Sequence, residues 1–262
     1  MDFAHLTLSV KDGLARVGWG DEFADIASSF DACLARPLRR RDLPTLLYSL
    51  NVLSALSKRG LPVINTPSAY TVAASKLGQY LALSEFGLPV PDTMSSLDAA
   101  RMLSSVKNGT CLVEKPICGS RGLGVKRIHV GDERYDPPGH VSLYQQDLSG
   151  MSFDIRVFTV GYEAVAAMKR VSSSLATNVS RGGRPEPIDL GEELVDLAER
   201  ASRATGAEVA GTDIVIDSGG KPYILEVNAQ PDFIGLETVA DADIPSEISE
   251  YAVRKAEERL VA

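Results

Sequence analysis

Cysteine and histidine are scarce, with three of each in 262 residues. Cys33, Cys111 and Cys118 fall at neither paired nor metal-ligand spacings, which leaves no disulfide framework and no zinc-type cluster. His5, His129 and His140 lie outside every motif found below, so imidazole chemistry has no candidate. Aromatic residues make up 6% of the chain, and no apolar run approaches the roughly 20 residues that cross a bilayer, so no membrane partner is expected. The start, Met-Asp-Phe-Ala-His, lacks the basic-then-apolar layout of a secretory signal, and the expected location is cytoplasmic. Basic residues are in deficit: 27 Lys and Arg against 35 Asp and Glu leave a net charge of −8. That balance argues against a duplex nucleic acid partner, which needs a broad basic footprint. Internal repeats and low-complexity tracts are missing too. What is present, 44% hydrophobic residues and a mean hydropathy near zero, suits a globular chain that buries a sizeable core in two or three lobes.

The most informative stretch is residues 211–231. Two runs of β-branched and aliphatic residues, 213–217 and 223–228, are joined by Gly219-Gly220, which is a hairpin signal. With a two-residue loop at the glycines, Ser218 faces Lys221 and Asp213 stands across from Glu226. Period-two alternation then sends Asp213, Glu226 and Asn228 to one face, and Ile214, Ile216, Leu225 and Val227 to the other. Directly opposed residues have Cβ atoms about 5 Å apart, and like charges so placed repel unless something positive lies between them. Carboxylates and an amide oxygen are hard ligands that suit Mg²⁺, which shares such sites with nucleotide phosphates. The competing interpretation is a hairpin face carrying ordinary polar residues.

Earlier in the chain, residues 6–10 and 14–19 are strand-like, and Arg39-Arg40-Arg41 is either an anion site or a solvated loop. Residues 43–60 carry Leu46, Leu47, Leu50, Leu53 and Leu56 at helical spacing and end in Lys58-Arg59-Gly60. With the short strand 61–65 they make a small α/β lobe with parallel pairing. Thr66-Pro67 opens one helix through Gly87, striped by Ala73, Leu77, Tyr80, Leu81 and Phe86. Lys76, at the edge of that stripe, either lies along the surface or faces a nucleotide. An extended link at 88–93, a helix at 95–106 and a strand at 110–117 follow.

That strand leads into Cys118-Gly-Ser-Arg-Gly-Leu-Gly-Val-Lys126. Gly119, Gly122 and Gly124, with Ser120 among them, let the backbone fold close over an anion. The spacing is not that of a Walker motif, and a strand follows rather than a helix, so any phosphate loop here is of hairpin type. Lys115, on the strand leading in, would face phosphates. Residues 141–148, 153–161 and 163–170 are strands, with Asp154 and Arg156 on one face and Arg170 at a strand exit. Asn178 and Arg181-Gly-Gly183 lie in a Ser- and Gly-rich loop that is either an anion clamp or a flexible polar loop. A helix at 192–205, a loop at 233–237 and a terminal helix at 245–261 with Ile248, Ala252 and Leu260 inward complete the chain.

In order, Lys76, Val113-Glu-Lys-Pro with the glycine loop, Phe153-Asp-Ile-Arg-Val-Phe, Val165-Ala-Ala-Met-Lys-Arg170, Thr177-Asn178 with Arg181-Gly-Gly, Gly211-Thr-Asp213 and Leu225-Glu-Val-Asn228 closely resemble the ATP-grasp superfamily. Within it the chain resembles the RimK-type α-L-glutamate ligases, over about residues 62–240. The resemblance implies an α/β ATP-grasp fold of α+β lobes. A short N-terminal α/β lobe (1–65) would precede a central lobe with the phosphate loop (66–144) and a C-terminal lobe with the metal site (145–262). It implies that Lys76, Lys115, Gly119, Ser120, Gly122 and Gly124 contact ATP, that Gln146, Asp147 and Leu148 form the adenine hinge, and that Asp154 reaches the ribose. Arg170, Asn178 and Arg181 would hold phosphate and the reacting carboxylate, and Asp213, Glu226 and Asn228 would ligate Mg²⁺ or Mn²⁺.

The implied activity is transfer of the ATP γ-phosphoryl group to a carboxylate, followed by attack of an amine on the acyl phosphate. The partners would be ATP, an amino acid such as glutamate and a small-molecule or carrier carboxylate, with a homo-oligomer left open. An ATP-binding scaffold without turnover and a kinase that stops at the acyl phosphate are the rival functions. Ala176, Gln146 and the Ala229-Gln-Pro231-Asp232 section depart from the family pattern, and the opening lobe is short. Replacing either Asp213 or Glu226 by alanine is expected to abolish turnover and leave the fold intact.

Overall fold

The computed structural model describes residues 2–20, 23–36, 42–119, 122–148, 153–172 and 182–261. The chain opens with an antiparallel sheet of β1 (Leu6–Lys11), β2 (Leu14–Trp19) and β3 (Ala24–Asp25). The β1–β2 turn uses Asp12 and Gly13, both at positive φ (52° and 75°), the conformation a two-residue hairpin needs. After α1 (Ile26–Ser29), the strand β4 (Cys33–Leu34) pairs in parallel with β5 (Val63–Ile64) across α2 (Leu43–Lys58), so the expected parallel pairing is present but is made by a short strand at 33–34 rather than by the runs at 6–10 and 14–19. Asp42 caps α2 by accepting from Thr45 N (2.8 Å). The buried side of α2 is Val52, Leu53, Ala55 and Leu56, whereas Leu47 of the expected stripe is half exposed.

The single helix expected at 66–87 is broken into α3 (Pro67–Ala73) and α4 (Lys76–Glu85). Ser75 starts the second by accepting from Gly78 N (3.2 Å), while Lys76 N donates to Ile117 O (3.0 Å) rather than to its own helix. The break turns Leu81 and Phe86 outward and buries Leu83 in their place. Strand β6 (Thr93–Ser95) lies where a link and a helix start were expected, and α5 (Ala99–Ser104) follows its Asp98 cap. Next come β7 (Cys111–Pro116), β8 (Lys126–His129) and β9 (Ser142–Gln146), forming an antiparallel sheet in the order β6-β9-β7-β8. A lobe boundary between residues 144 and 145 therefore cuts β9, which belongs whole to this sheet.

The second large sheet has the order β12-β11-β10-β13-β14, from β10 (Phe153–Val160), β11 (Glu163–Val171), β12 (Arg184–Glu186), β13 (Val209–Ile216) and β14 (Pro222–Asn228). Helix α6 (Glu192–Thr205), closed by Gly206 at φ 70°, covers one face. There Leu197, Ala198 and Ala201 join Ile155, Val157, Ile214, Ile224 and Val227 in one core that also takes Leu53 and Leu56 of α2. The other face is divided. Phe158 and Met168 lie under α7 (Ile234–Glu237) and α8 (Ile244–Val261) with Leu236, Ile244 and Ile248. Beyond them the same face becomes polar, with Asp154, Arg156, Arg170, Asp213, Glu226 and Asn228. Residues 233–237, read as a loop, thus include a short helix, and Leu260, expected inward on α8, is exposed.

The N-terminal lobe is pinned to this sheet by Asn65, which is 2% exposed. Its Nδ2 donates to Val209 O (2.7 Å) and Ala229 O (2.8 Å), and its Oδ1 accepts from Val209 N (2.7 Å). One amide so joins the start of β13 to the exit of β14. Asn65→Ala would leave these backbone groups buried without partners and should cost about 3 kcal/mol of stability, read as a lower denaturation midpoint at unchanged slope.

Candidate functional site

Asp213 does stand opposite Glu226, but not by the expected route. Asp217 N donates to Lys221 O (2.9 Å), and Asp217 Oδ1 accepts from Gly219 N and Lys221 N. Residues 218–220 therefore form a loop one residue longer than a Gly-Gly turn. A bulge then places Ile214 against Ile224 and restores the Asp213–Glu226 pair. Consequently Ile224, not Leu225, lies buried beside Ile214 and Val227.

Among the described residues no further strand pairs with the outer edge of β14; α4 and the chain before β6 satisfy it instead. Ile224 N donates to Pro89 O (2.8 Å), Tyr80 Oη donates to Leu225 O (2.7 Å) at the bulge, and Val227 N donates to Gln79 Oε1 (2.8 Å). This contact fixes the start of α4 over the hairpin. Lys76 Nζ reaches Gly119 O in the glycine loop (2.9 Å) and Glu226 Oε1 (3.5 Å). Lys115 arrives from β7, where Gln145 Oε1 accepts from its Nζ (2.5 Å) and Gln145 Nε2 donates to Thr93 Oγ1 (3.0 Å).

Across the sheet runs a chain of buried charges. Arg156 grips Asp213 with two bonds, Nε to Oδ1 (2.7 Å) and Nη2 to Oδ2 (2.8 Å). Arg170 grips Asp154 in the same way (2.7 and 2.5 Å), and its Nη2 also lies 2.8 Å from Asp213 Oδ2. Burial by itself would raise the Asp213 carboxyl; the two guanidiniums outweigh it and hold the group below the usual carboxylate range. Burial pulls Arg170 down, and Asp213 and Asp154 more than reverse this, so it stays charged. The repulsion expected between Asp213 and Glu226 is thus answered by the protein's own cations: two arginines on one carboxylate and Lys76 on the other.

These contacts test whether Mg²⁺ fits. An ionised carboxylate offers about four lone pairs. On Asp213, among the described residues, Oδ2 accepts from both arginines and Oδ1 from Arg156 alone, which leaves one acceptor position on Oδ1. Glu226 is only partly buried and holds one 3.5 Å tether on Oε1. Asn228 Oδ1 accepts from Gln230 N (2.9 Å). Among the described residues no three His, Cys, Asp or Glu side chains converge. The set therefore fits an ion held by Glu226, Asn228 and Asp213 Oδ1, with its other ligands coming from phosphate and water.

The remaining expected residues are placed as follows. Gly122 and Gly124 take positive φ (64° and 73°), and a Cβ on Gly124 would sit 2.8 Å from Pro116 Cγ. Gln146 has an exposed side chain, with its N–H on Asp92 O (2.8 Å). Asp147 accepts from Arg127 Nε (2.8 Å), and Leu148 is half-buried. Asp154 has both oxygens on Arg170, which makes it a support for that arginine. Ser120, Asn178, Arg181 and the triple arginine at 39–41 lie outside the described residues.

Arg156 and Gln145 had no assigned role, yet they hold Asp213 and Lys115. Alternation had already put Arg156 beside Asp154; only the pairing of β10 with β13 brings it to Asp213. Gly211 makes room, since a Cβ there would lie 2.8 Å from Pro231 Cβ and 3.4 Å from Arg156 Nε.

A family model described as a RimK-like ATP-grasp domain matches residues 79–252. A tetrahydromethanopterin:alpha-L-glutamate ligase of Methanosarcina acetivorans is 29% identical over 246 residues, which covers 80% of this chain and 76% of that one. A probable alpha-L-glutamate ligase of Haemophilus influenzae is 30% identical over 238 residues, covering 86% and 76%. The ATP-grasp ligase PsnB with a minimal precursor superposes at a TM-score of 0.71 and 22% identity, over 95% of this chain and 86% of that one. PsnB with a phosphomimetic precursor variant, Mg and ADP gives 0.69 at 22% identity, over 95% and 85%.

Two outcomes follow from this geometry. Asp213→Ala strands the buried Arg156 guanidinium and leaves Arg170 to Asp154 alone, and it should cost about 3–5 kcal/mol in urea unfolding, against the expectation of an intact fold, whereas Glu226→Ala should cost little. Burial lowers Lys115 to about 8, helped by Lys76 and opposed by Glu226 and Asp213. The folded protein therefore sheds this proton before the unfolded chain does. The destabilising burial of the charge is fully present below about pH 8 and relieved between there and the ordinary lysine value. With Lys115 on nucleotide phosphate, as the resemblance implies, nucleotide affinity should fall as pH rises through about 8 in titration calorimetry, and Lys115→Arg should flatten that fall.

Proposed function

The chain belongs to the RimK-like ATP-grasp family, an ATP-dependent acid–amino-acid ligase by that membership, and from this premise we propose that it adds L-glutamate to a carboxylate on a small cofactor or carrier. The observation that carries the reading is the convergence of Lys76, the glycine loop and Glu226 in front of the buried Arg156–Asp213–Arg170–Asp154 chain. One similar ligase is named for tetrahydromethanopterin and another is complexed with a minimal precursor, so the molecules that such ligases engage differ between proteins that share the fold. No helix is long and apolar enough to cross a membrane among the described residues, and we place the enzyme in the cytoplasm.

A carboxylate does not react with an amine while its leaving group would be oxide. In the proposed first step a substrate carboxylate oxygen attacks the γ-phosphorus of ATP, the bond from that phosphorus to the bridging oxygen breaks, and ADP leaves. In the second, the amine nitrogen attacks the acyl carbon, the bond to the phosphate oxygen breaks, and the nitrogen loses a proton, giving amide and phosphate. Lys115 and Lys76 meet phosphate charge, and the N–H groups of the glycine loop lie over it. Glu226, Asn228 and Asp213 would hold Mg²⁺, which would supply neutralisation of the phosphoryl oxygens. Arg170 is 1% exposed and locked between two carboxylates, so it acts through Asp213 rather than by touching phosphate. Asn178 and Arg181 keep their proposed part in holding the reacting carboxylate.

Incubation with ATP, Mg²⁺, L-glutamate and candidate acids should yield ADP together with a product heavier by one condensed glutamate. Glu226→Gln should lower that rate by about 100-fold or more at unchanged Tm. Phosphate release with no amide for any acid would defeat the ligase assignment in favour of a kinase-like reaction.

A further inference from the structure

Among the described residues, three buried side-chain polar atoms lack a hydrogen-bond partner: Arg36 Nη1, Gln230 Nε2 and Thr212 Oγ1. The first two are donors that converge on one turn, the one leaving β14. Arg36, just past β4, donates through Nη2 to Pro231 O, and its guanidinium lies 5.2 Å from the centroid of the Phe233 ring. Gln230 N donates to Asn228 Oδ1, so this turn starts at the amide of the candidate metal set. Gln230 Nε2 lies beside the Tyr70 hydroxyl without proper hydrogen-bond geometry. That hydroxyl is already engaged, donating to Ala35 O (2.6 Å) and accepting from Asn65 N (3.2 Å).

Arg36 differs from the other buried arginines in its charge balance. Arg156 and Arg170 are each held by carboxylates at 2.5–2.8 Å. Burial lowers the Arg36 pKa, and only Tyr70 and Asp232, acting electrostatically, pull the other way. A charged donor covered without an acceptor costs more than a neutral one. The acceptor that best suits a guanidinium fork is a carboxylate, and an amide N–H beside it supplies a second bond. Arg36 and Gln230 are partly exposed as residues, while the two unpartnered atoms themselves are buried.

We propose that Arg36 and Gln230 form a subsite for a carboxylate of the incoming amino acid, one that does not itself react. The inference rests on the ligase reading above. An amino acid that condenses through its amine carries its own carboxylates unchanged into the product, and these need a cation apart from the phosphate-binding lysines. Arg36 meets that need one turn beyond Asn228, whereas Lys76 lies at Glu226 within the strand.

Titration calorimetry on the full chain tests this, with Mg·ADP first and then L-glutamate added to the Mg·ADP-loaded protein. Arg36→Met should weaken L-glutamate binding about 10- to 100-fold, Arg36→Lys less, and Gln230→Met severalfold. Each variant should keep Mg·ADP affinity within about twofold of the parent, as expected for a site that does not touch the nucleotide. Unchanged L-glutamate affinity with a lowered Tm would assign the two donors a purely structural role and overturn the proposal. Parallel loss of Mg·ADP affinity would do the same, because it would show that the turn, not the carboxylate, had been disturbed. A parent protein that binds Mg·ADP but no L-glutamate at millimolar concentration refutes the subsite and leaves ATP binding standing. A parent that fails to bind Mg·ADP removes the ligase reading and this proposal with it.

Discussion

The site depends on the pairing of Asp213 with Arg156 and Arg170 inside the sheet. Taking these ions out of water costs several kcal/mol each, and their attraction offsets that cost only when every partner is present. Here each guanidinium is forked onto a carboxylate and Arg170 is shared between two, so every charge of the row has an opposite charge against it. Such a row keeps Asp213 ionised and fixed in direction, which an isolated buried aspartate would not be. It also explains why a polar strip survives on a sheet whose two faces otherwise pack apolar cores.

A second constraint is the unpaired edge of β14. An exposed strand edge invites pairing with another chain, and covering it with helix side chains removes that hazard. Gln79 and Tyr80 provide the cover, and because they stand in the first turns of α4, the same contact delivers Lys76 to Glu226 and Gly119. Edge protection and assembly of the nucleotide face are one event. The bulge belongs to it as well: the carbonyl that Tyr80 holds is that of Leu225, the extra residue.

The opening lobe shares its core with the large sheet and adds polar contacts at one end of it. Asn65 ties the two ends of the hairpin strands, and Arg36 reaches the turn just beyond. Residues far apart in the chain therefore converge on the segment 229–233. This is the segment in which the sequence departs from the family pattern, with Ala229-Gln-Pro231 following Asn228. The proposed carboxylate subsite and the departure from the family motif thus meet at one place, while the charged row behind keeps the residues that the resemblance matched.

What the sequence alone determined is whatever local periodicity and spacing decide. Alternation put Asp213, Glu226 and Asn228 on one face, and Asp154 with Arg156 on one face; helix and strand periods marked α2, α6, β10 and β11 closely. The facing of Asp213 and Glu226 emerged although two local details were off, because a longer loop and a bulge cancel in register. Tertiary structure decided whatever depends on which strands become neighbours. The break at Ser75 exists because Ile117 O takes the Lys76 N–H, a bond across 41 residues of sequence that no helical pattern encodes. Likewise Arg156 acquired its role only when β10 was laid against β13, since a charge has no partner until the fold supplies one.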